Sequence, residues 1–298
     1  MGATRPLAEL RRGDAVEFGG KSANLGELLA AGIPVPSGFA IEASAYRDGW
    51  TDVLRDELAS RYAELGEPPV AVRSSALGED SQEASYAGQQ ESYLWVRGVE
   101  QLCEAVRDCW ASLHTERAVA YRANLGATDP AMGVTVQTMV DAAVSGVFFT
   151  CNPVTGDPSM VAVNASWGLG LAVVGGETNP DDFLVSKVTG EIVRRTINSK
   201  EVEYVVAPDG RGTVCSAVPA ARRESPSLGD DELAALMDLA KRVERHFGSH
   251  QDVEWAFDRA GTLPTLQTRP VTAKHAATPA ATSAIGLVMN AFGAGKGR

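Results

Sequence analysis

Asp252-Val253-Glu254-Trp255-Ala256-Phe257-Asp258, followed by Leu266-Gln267-Thr268-Arg269-Pro270, decides the reading of this chain. Polar and apolar residues alternate along 252–258 and again along 263–269, and Arg259-Ala260-Gly261 between them is turn-forming, so the two runs are expected to pair as an antiparallel hairpin. On such a ribbon Glu254, Gln267 and Arg269 can project toward one site. A carboxylate and an amide oxygen suit Mg²⁺, which prefers hard oxygen ligands. A planar guanidinium fork suits a phosphate. The combination reads as the polyphosphate end of a nucleotide site. Standing alone it reads as well as a surface hairpin with ordinary outward polar residues, so distant segments have to decide.

Composition narrows the partners. The 298 residues carry a formal net charge of −11, which argues against broad binding to nucleic acid or to anionic membranes, because those surfaces recruit basic patches. An acidic protein that holds a polyphosphate must concentrate its cations, and Lys21, Arg73 and Arg269 each stand in a structured, glycine- or serine-flanked segment. No apolar run approaches the ~20 residues of a membrane span, and Met1 to Arg12 lacks an apolar signal core, so a cytoplasmic protein is expected. Cys103, Cys109, Cys151 and Cys215 show no paired metal-ligand spacing and read as buried reduced thiols.

Segment 19–38 reads as loop, helix and stop. Leu25, Leu28 and Leu29 recur at helical spacing, Gly32 is a C-terminal cap, and Pro34 and Pro36 block continuation. Lys21 then lies at a helix N-terminus, where unpaired N–H groups favour an anion. Gly-Gly-Lys-Ser mimics a P-loop, but Ala15 stands where a glycine is required and no apolar strand leads in, so that reading is rejected. Val70-Ala71-Val72-Arg73 is a short strand, and Glu79 to Gln90, with Ala87-Gly88-Gln89-Gln90, is a flexible loop whose glycine can bring N–H groups close to phosphates.

A long amphipathic helix is expected over 99–123, with Cys103 and Cys109 near its buried face, and a second helix over 230–248, capped by Asp230 and Asp231. Between them lie strands around 134–137, 146–149, 160–163 and 183–185, separated by the turns 152–157 and 168–170. Strands outnumber helices without βαβ alternation, so the fold class is α+β. Residues 273–298 read as an Ala/Thr-rich linker and a tail with one apolar patch, the last residues disordered.

Four separated elements agree: Gly19-Gly20-Lys21-Ser22-Ala23-Asn24-Leu25; Val72-Arg73-Ser74-Ser75-Ala76; Gly146-Val147-Phe148-Phe149-Thr150 with Asn152-Pro153-Val154-Thr155-Gly156; and Glu254-Trp255 with Leu266-Gln267-Thr268-Arg269-Pro270. In this order, over about residues 15–272, the chain resembles the N-terminal ATP-binding domain shared by phosphoenolpyruvate synthase, pyruvate phosphate dikinase and rifampin phosphotransferase. The resemblance implies an ATP-grasp fold with lobes of roughly 1–198 and 199–272 around the nucleotide. It implies that Lys21, Arg73 and Arg269 hold phosphates and act in catalysis, and that Glu254 and Gln267 ligate Mg²⁺. Ala87, Gly88 and Gln89 match the loop over the phosphates, and Gln137, Met139 and Val140 match the hinge whose backbone reads adenine. Leu171 stands where many relatives place an acid, and Glu177 is the nearby carboxylate to take its place. Pro264, in the second hairpin strand, fits only an edge or a bulge.

The relatives continue into a domain bearing a phosphorylatable histidine, whereas the histidines here are His114, His246, His250 and His275. His275 has no domain around it. The expectation is an ATP-binding component that phosphorylates a histidine on a separate chain and releases AMP, as in two-component aryl phosphate synthases acting on phenol or 4-cresol; pyruvate or an antibiotic hydroxyl are other acceptors. An autonomous ATP-grasp ligase that makes an acyl phosphate and releases ADP, and a non-catalytic ATP sensor, are the alternatives.

Overall fold

The computed structural model describes residues 2–77, 92–115 and 131–271. The chain packs as two compact units, Met1–Met139 with Val206–Thr213 and Val140–Val205 with Val214–Arg298. The boundary therefore falls at Met139–Val140 and not near residue 198. The reason is strand pairing: residues 142–196 build the same sheet as the C-terminal hairpin, so they cannot belong to a separate N-terminal lobe. The expected linker and tail at 273–298 lie outside the described residues.

The first unit runs β1 (Thr4–Pro6), α1 (Ala15–Phe18), α2 (Gly20–Ala30), β2 (Gly38–Ile41), α3 (Ala43–Asp48), α4 (Asp52–Glu64), β3 (Val70–Ala76), β4 (Ser92–Val96), α5 (Val99–Ala111) and β5 (Met132–Thr138). Its five-stranded sheet has the order β1-β2-β5-β3-β4. Period-2 alternation sends Val70, Val72, Val134 and Val136 to one face, where Leu54, Leu58 and Tyr62 of α4 and Leu102, Val106 and Trp110 of α5 complete the core. Burial of this stripe holds α4, whose surface is otherwise charged. α5 stops at Ala111 in a tight 3₁₀ turn over Ser112–His114, shorter than the expected helix to 123, and residues 116–130 lie outside the described part. Ser112 Oγ donates to Cys109 O at 2.6 Å and competes with the helical ladder there.

One carboxylate ties the N-terminal strand down. Glu57 accepts from Ala3 N at 3.0 Å, Thr4 N at 2.8 Å and Thr4 Oγ1 at 2.6 Å. Burial alone would raise its pKa, but these three bonds and the Arg61 charge outweigh it, so the group lies below its ordinary value of 4.5. With the folded pKa depressed, the stabilisation is present above the unfolded value and is lost as pH falls through the folded one. Glu57→Gln is therefore expected to cost about 1–2 kcal/mol at pH 7 and to flatten the acid limb of a melting-temperature profile taken from pH 6 to pH 3. An unchanged acid limb would contradict this.

The second unit runs β6 (Ala142–Phe149), β7 (Met160–Trp167), α6 (Leu171–Val174), β8 (Asp181–Ser186), β9 (Ile192–Thr196), β10 (Val202–Val206), β11 (Thr213–Ala217), α7 (Ala220–Arg223), α8 (Asp230–Phe247), β12 (Gln251–Asp258) and β13 (Thr265–Pro270). The tip of the β10–β11 hairpin, Val206–Thr213, is counted with the first unit. Six antiparallel strands order as β13-β12-β6-β7-β8-β9. Trp255 and Phe257 lie on one face in an edge contact, and α8 buries Leu233, Leu236, Ala240 and Val243. Gly229, not Asp230, caps α8: its N–H is bonded by Glu232 at 2.7 Å, while Asp230 opens the first turn and pairs with Arg195. Gly248 ends the helix in the left-handed region, at φ 67°.

All four cysteines are reduced thiols; Cys103, Cys109 and Cys151 are buried, but Cys215, on β11, is exposed, against expectation. Among the described residues no helix is long and apolar enough to cross a membrane.

Candidate functional site

In the first unit the site residues gather on the sheet face turned away from the core. Register pairs Arg73 with Thr135 and Ala71 with Gln137, so Arg73, Thr135 and Gln137 share that face. The first turn of α2 lies against it: Ser22 Oγ meets Thr135 Oγ1 at 2.7 Å, and Lys21 Nζ donates to Ser74 O at 2.8 Å. This close seating requires Gly19. Its φ is 80°, and a Cβ there would overlap the Ser75 backbone. Lys21 is buried, and so is Gln137, whose Nε2 donor has no partner among the described residues. The Met139 N–H is committed to Pro69 O at 2.9 Å.

In the second unit β12 is sandwiched between β13 and β6, with Glu254 opposite Gln267 and Asp252 opposite Arg269. Directly opposed residues point to the same side, ~5 Å apart at Cβ. Arg269 Nε and Nη2 both reach Asp252 Oδ2 at 2.8 Å, a partly buried ion pair that fixes the guanidinium beside the Glu254–Gln267 pair. Gln267 is 6% exposed, and its Oε1 has no donor among the described residues. The hairpin carries a bulge between Glu254 and Trp255: Gln267 pairs with Glu254 and Thr265 with Trp255, so Leu266 is the extra residue. Pro264 sits just before this edge strand, outside the ladder proper, and its carbonyl accepts from Ala256 N.

Among the described residues no three His, Cys, Asp or Glu cluster at metal-binding distance. Glu254 and Gln267 nevertheless fit Mg²⁺. A carboxylate and a buried, unsatisfied amide oxygen face each other, and this cation is usually held by few protein oxygens plus substrate phosphates.

Val140, at the start of the second unit, leads into β6, and Glu177 follows α6. The Glu177 carboxylate accepts from Tyr204 OH at 2.8 Å, and that bond, with burial and the nearby charge, pushes the Tyr204 phenol up. So Lys21, Arg73, Gln137 and Met139 stand in the first unit, and Val140, Glu177, Glu254, Gln267 and Arg269 in the second. Ala87, Gly88 and Gln89 lie outside the described residues. The sequence alone gives no role to Asp252, Asn164 or Asp182. Asn164 and Ser166 alternate in Val163-Asn164-Ala165-Ser166, which was the available signal, but which strand faces β7 cannot be read from one sequence.

The pyruvate phosphate dikinase AMP/ATP-binding domain matches residues 16–53 and 49–285. A probable phosphoenolpyruvate synthase of Staphylothermus marinus is 38% identical over 85% of this chain and 38% of its own length. One of Methanothermobacter thermautotrophicus is 38% identical over 91% of this chain and 46% of its own. The prodigiosin synthesizing transferase PigC of Serratia marcescens is 39% identical over 86% and 31%. The chain spans less than half the length of these relatives. Among solved structures, an L-amino acid ligase from Bacillus licheniformis aligns over 88% of this chain and 44% of its own at 13% identity and a TM-score of 0.40. PH1788 from Pyrococcus horikoshii aligns over 89% and 97% at 13% identity and a TM-score of 0.45.

Proposed function

Because the chain belongs to the pyruvate phosphate dikinase AMP/ATP-binding family and has its α+β ATP-grasp fold, we propose that it is the ATP-binding component of a dikinase-like phosphotransferase. ATP binds here with Mg²⁺, a histidine on a partner subunit displaces AMP and takes the diphosphate, water releases its outer phosphate as inorganic phosphate, and the partner hands the remaining phosphoryl group to a small acceptor such as a phenol, 4-cresol or pyruvate. The observation that carries this reading is the Glu254–Gln267 pair with the Arg269–Asp252 pair in the adjoining row. Bound between Glu254 and Gln267, Mg²⁺ would neutralise charge on the polyphosphate. Arg269 and Asp252 hold each other in place, so the guanidinium meets a phosphate without reorganising first. Lys21 and Arg73 add cations that offset the net negative charge of the chain.

A separate phosphocarrier is supported by what the described histidines do. His114 Nε2 meets Tyr46 OH at 2.9 Å, His250 Nδ1 meets Glu244 at 2.7 Å, and the His246 ring packs on Phe247. His275 lies outside the described residues. Relatives named for phosphoenolpyruvate synthesis and for prodigiosin synthesis carry similar domains, which supports one nucleotide end serving different acceptors.

The purified chain is expected to bind Mg·ATP and to turn it over negligibly, then to form AMP when a histidine-domain subunit and its acceptor are added. Nucleotide products separated by ion-exchange chromatography test this. Steady AMP from the chain alone would overturn it, as would ADP formed with a carboxylic acid, the mark of a ligase. ATP binding with no product under any condition would indicate a sensor.

A further inference from the structure

The register of the second sheet carries the polar face beyond the hairpin. Gln267 faces Glu254, Glu254 faces Val147, Val147 faces Asn164, and Asn164 faces Asp182, so all five project to one side. Asn164 is 1% exposed. Its Nδ2 donates to Asp182 Oδ2 at 3.3 Å, while Asp182 Oδ1 accepts from Arg194 Nε at 2.9 Å and Nη2 at 2.6 Å. An ionised carboxylate only accepts, so the amide nitrogen must be the end that faces Asp182. That fixes the flip of the amide and turns Oδ1 away from β8, where it has no donor among the described residues.

A buried acceptor without a donor costs the desolvation of that group. Nδ2 is accounted for by Asp182, so Oδ1 is the atom left for something the site binds. On the hairpin side its neighbour across the ladder is Val147, which offers no side-chain donor. One strand beyond Val147 stands Glu254, ~10 Å from Asn164. Gln267 Oε1, directly opposite Glu254, is a second buried oxygen on the same face without a donor among the described residues.

We propose that Asn164 extends the nucleotide site across the sheet: its Oδ1 accepts a hydrogen bond from an O–H group that accompanies bound Mg·ATP, and Asp182, clamped by Arg194, is the positioning residue that aims it. The O–H belongs to a ribose hydroxyl or to a metal-bound water. The inference rests on the ATP-binding reading above and adds a contact point to it.

The test is equilibrium titration of the full chain and its Asn164→Ala variant with Mg·ATP, Mg·2′-deoxy-ATP, Mg·3′-deoxy-ATP and metal-free ATP, with thermal melts of each protein. Asn164→Ala should bind Mg·ATP about tenfold more weakly; the melts serve only to show that it is folded, since the change also takes a donor from Asp182 Oδ2. The penalty should vanish with one deoxy analogue if the donor is a ribose hydroxyl, and without Mg²⁺ if it is a metal-bound water. If Asn164→Ala does not fold, Asp182→Asn, which lets the amide turn over, should give the same ligand selectivity with about a threefold loss. Equal affinity of variant and wild type for all four ligands would mean an internal water only and would overturn the proposal. So would one uniform loss across the four, which is a structural effect. Failure of the wild-type chain to bind Mg·ATP would instead remove the ATP-binding reading itself.

Discussion

Glu254→Ala should abolish partner-dependent phosphoryl transfer, by at least about 100-fold at saturating Mg·ATP, and Arg73→Ala should do the same, while both variants melt close to wild type. The size follows from the chemistry. Phosphoryl transfer asks the protein for positioning and charge neutralisation more than for covalent help, and removing one pre-organised group of that kind costs on the order of 3 kcal/mol or more. The fold should survive because the two side chains leave the sheet on faces that do not carry the main apolar cores. Glu254 is only half-buried, opposite Gln267, while Trp255 beside it fills the other face. Arg73 shares a face with Thr135 and Gln137, opposite Val70 and Val72. Alanine leaves both ladders intact and opens no core cavity. Rates of AMP formation within a few-fold of wild type, measured with the histidine-bearing partner, would sink the assignment.

Much of the hairpin was legible because its signals are local. Alternation gave β12 and β13, Arg259 to Gly261 gave the turn, and Pro264 forced an irregularity close to where the bulge occurs. α8 showed as Leu233, Leu236, Ala240 and Val243 on one stripe, ended by Gly248. What escaped depends on pairing between distant segments. α4 buries only Leu54, Leu58 and Tyr62 along a charged helix, a stripe too narrow to stand out. β9 and β11 are largely exposed edge ribbons, so burial imposes no apolar pattern on them. The unit boundary was misplaced for the same reason, since nothing near residue 140 announces that β6 will pair with β12, more than a hundred residues later. In the site, residue identities could be read from Glu254, Gln267 and Arg269, but not that Asp252 would hold Arg269, nor that Asn164 and Asp182 would continue the row.

The interaction least visible in the sequence is also the one whose disruption should unfold the protein most readily. Lys200 and Asp181 are both fully buried, with Nζ 2.6 Å from Oδ1. Asp181 is satisfied on both oxygens: Oδ1 also accepts from Asn198 N at 3.0 Å, and Oδ2 accepts from Ser227 N and Oγ, each at 2.7 Å. Lys200 Nζ donates further to Asn198 O at 2.8 Å. The pair thus pins the start of β8, the turn at 198–200 and the segment leading into α8 to one point. Taking two charges out of water is expensive, and the arrangement is tolerable only while each neutralises the other and the remaining bonds are made. Lys200→Met leaves a carboxylate stranded and is expected to cost about 3–5 kcal/mol. Asp181→Asn strands the ammonium at a similar cost. The double variant Asp181→Asn/Lys200→Met removes both charges, so it should be more stable than the sum of the two single losses predicts. Urea unfolding of the four proteins closes this cycle. Single variants within about 1 kcal/mol of wild type, or losses that simply add, would show that the two charges are not coupled and that something other than this pair holds the three segments together.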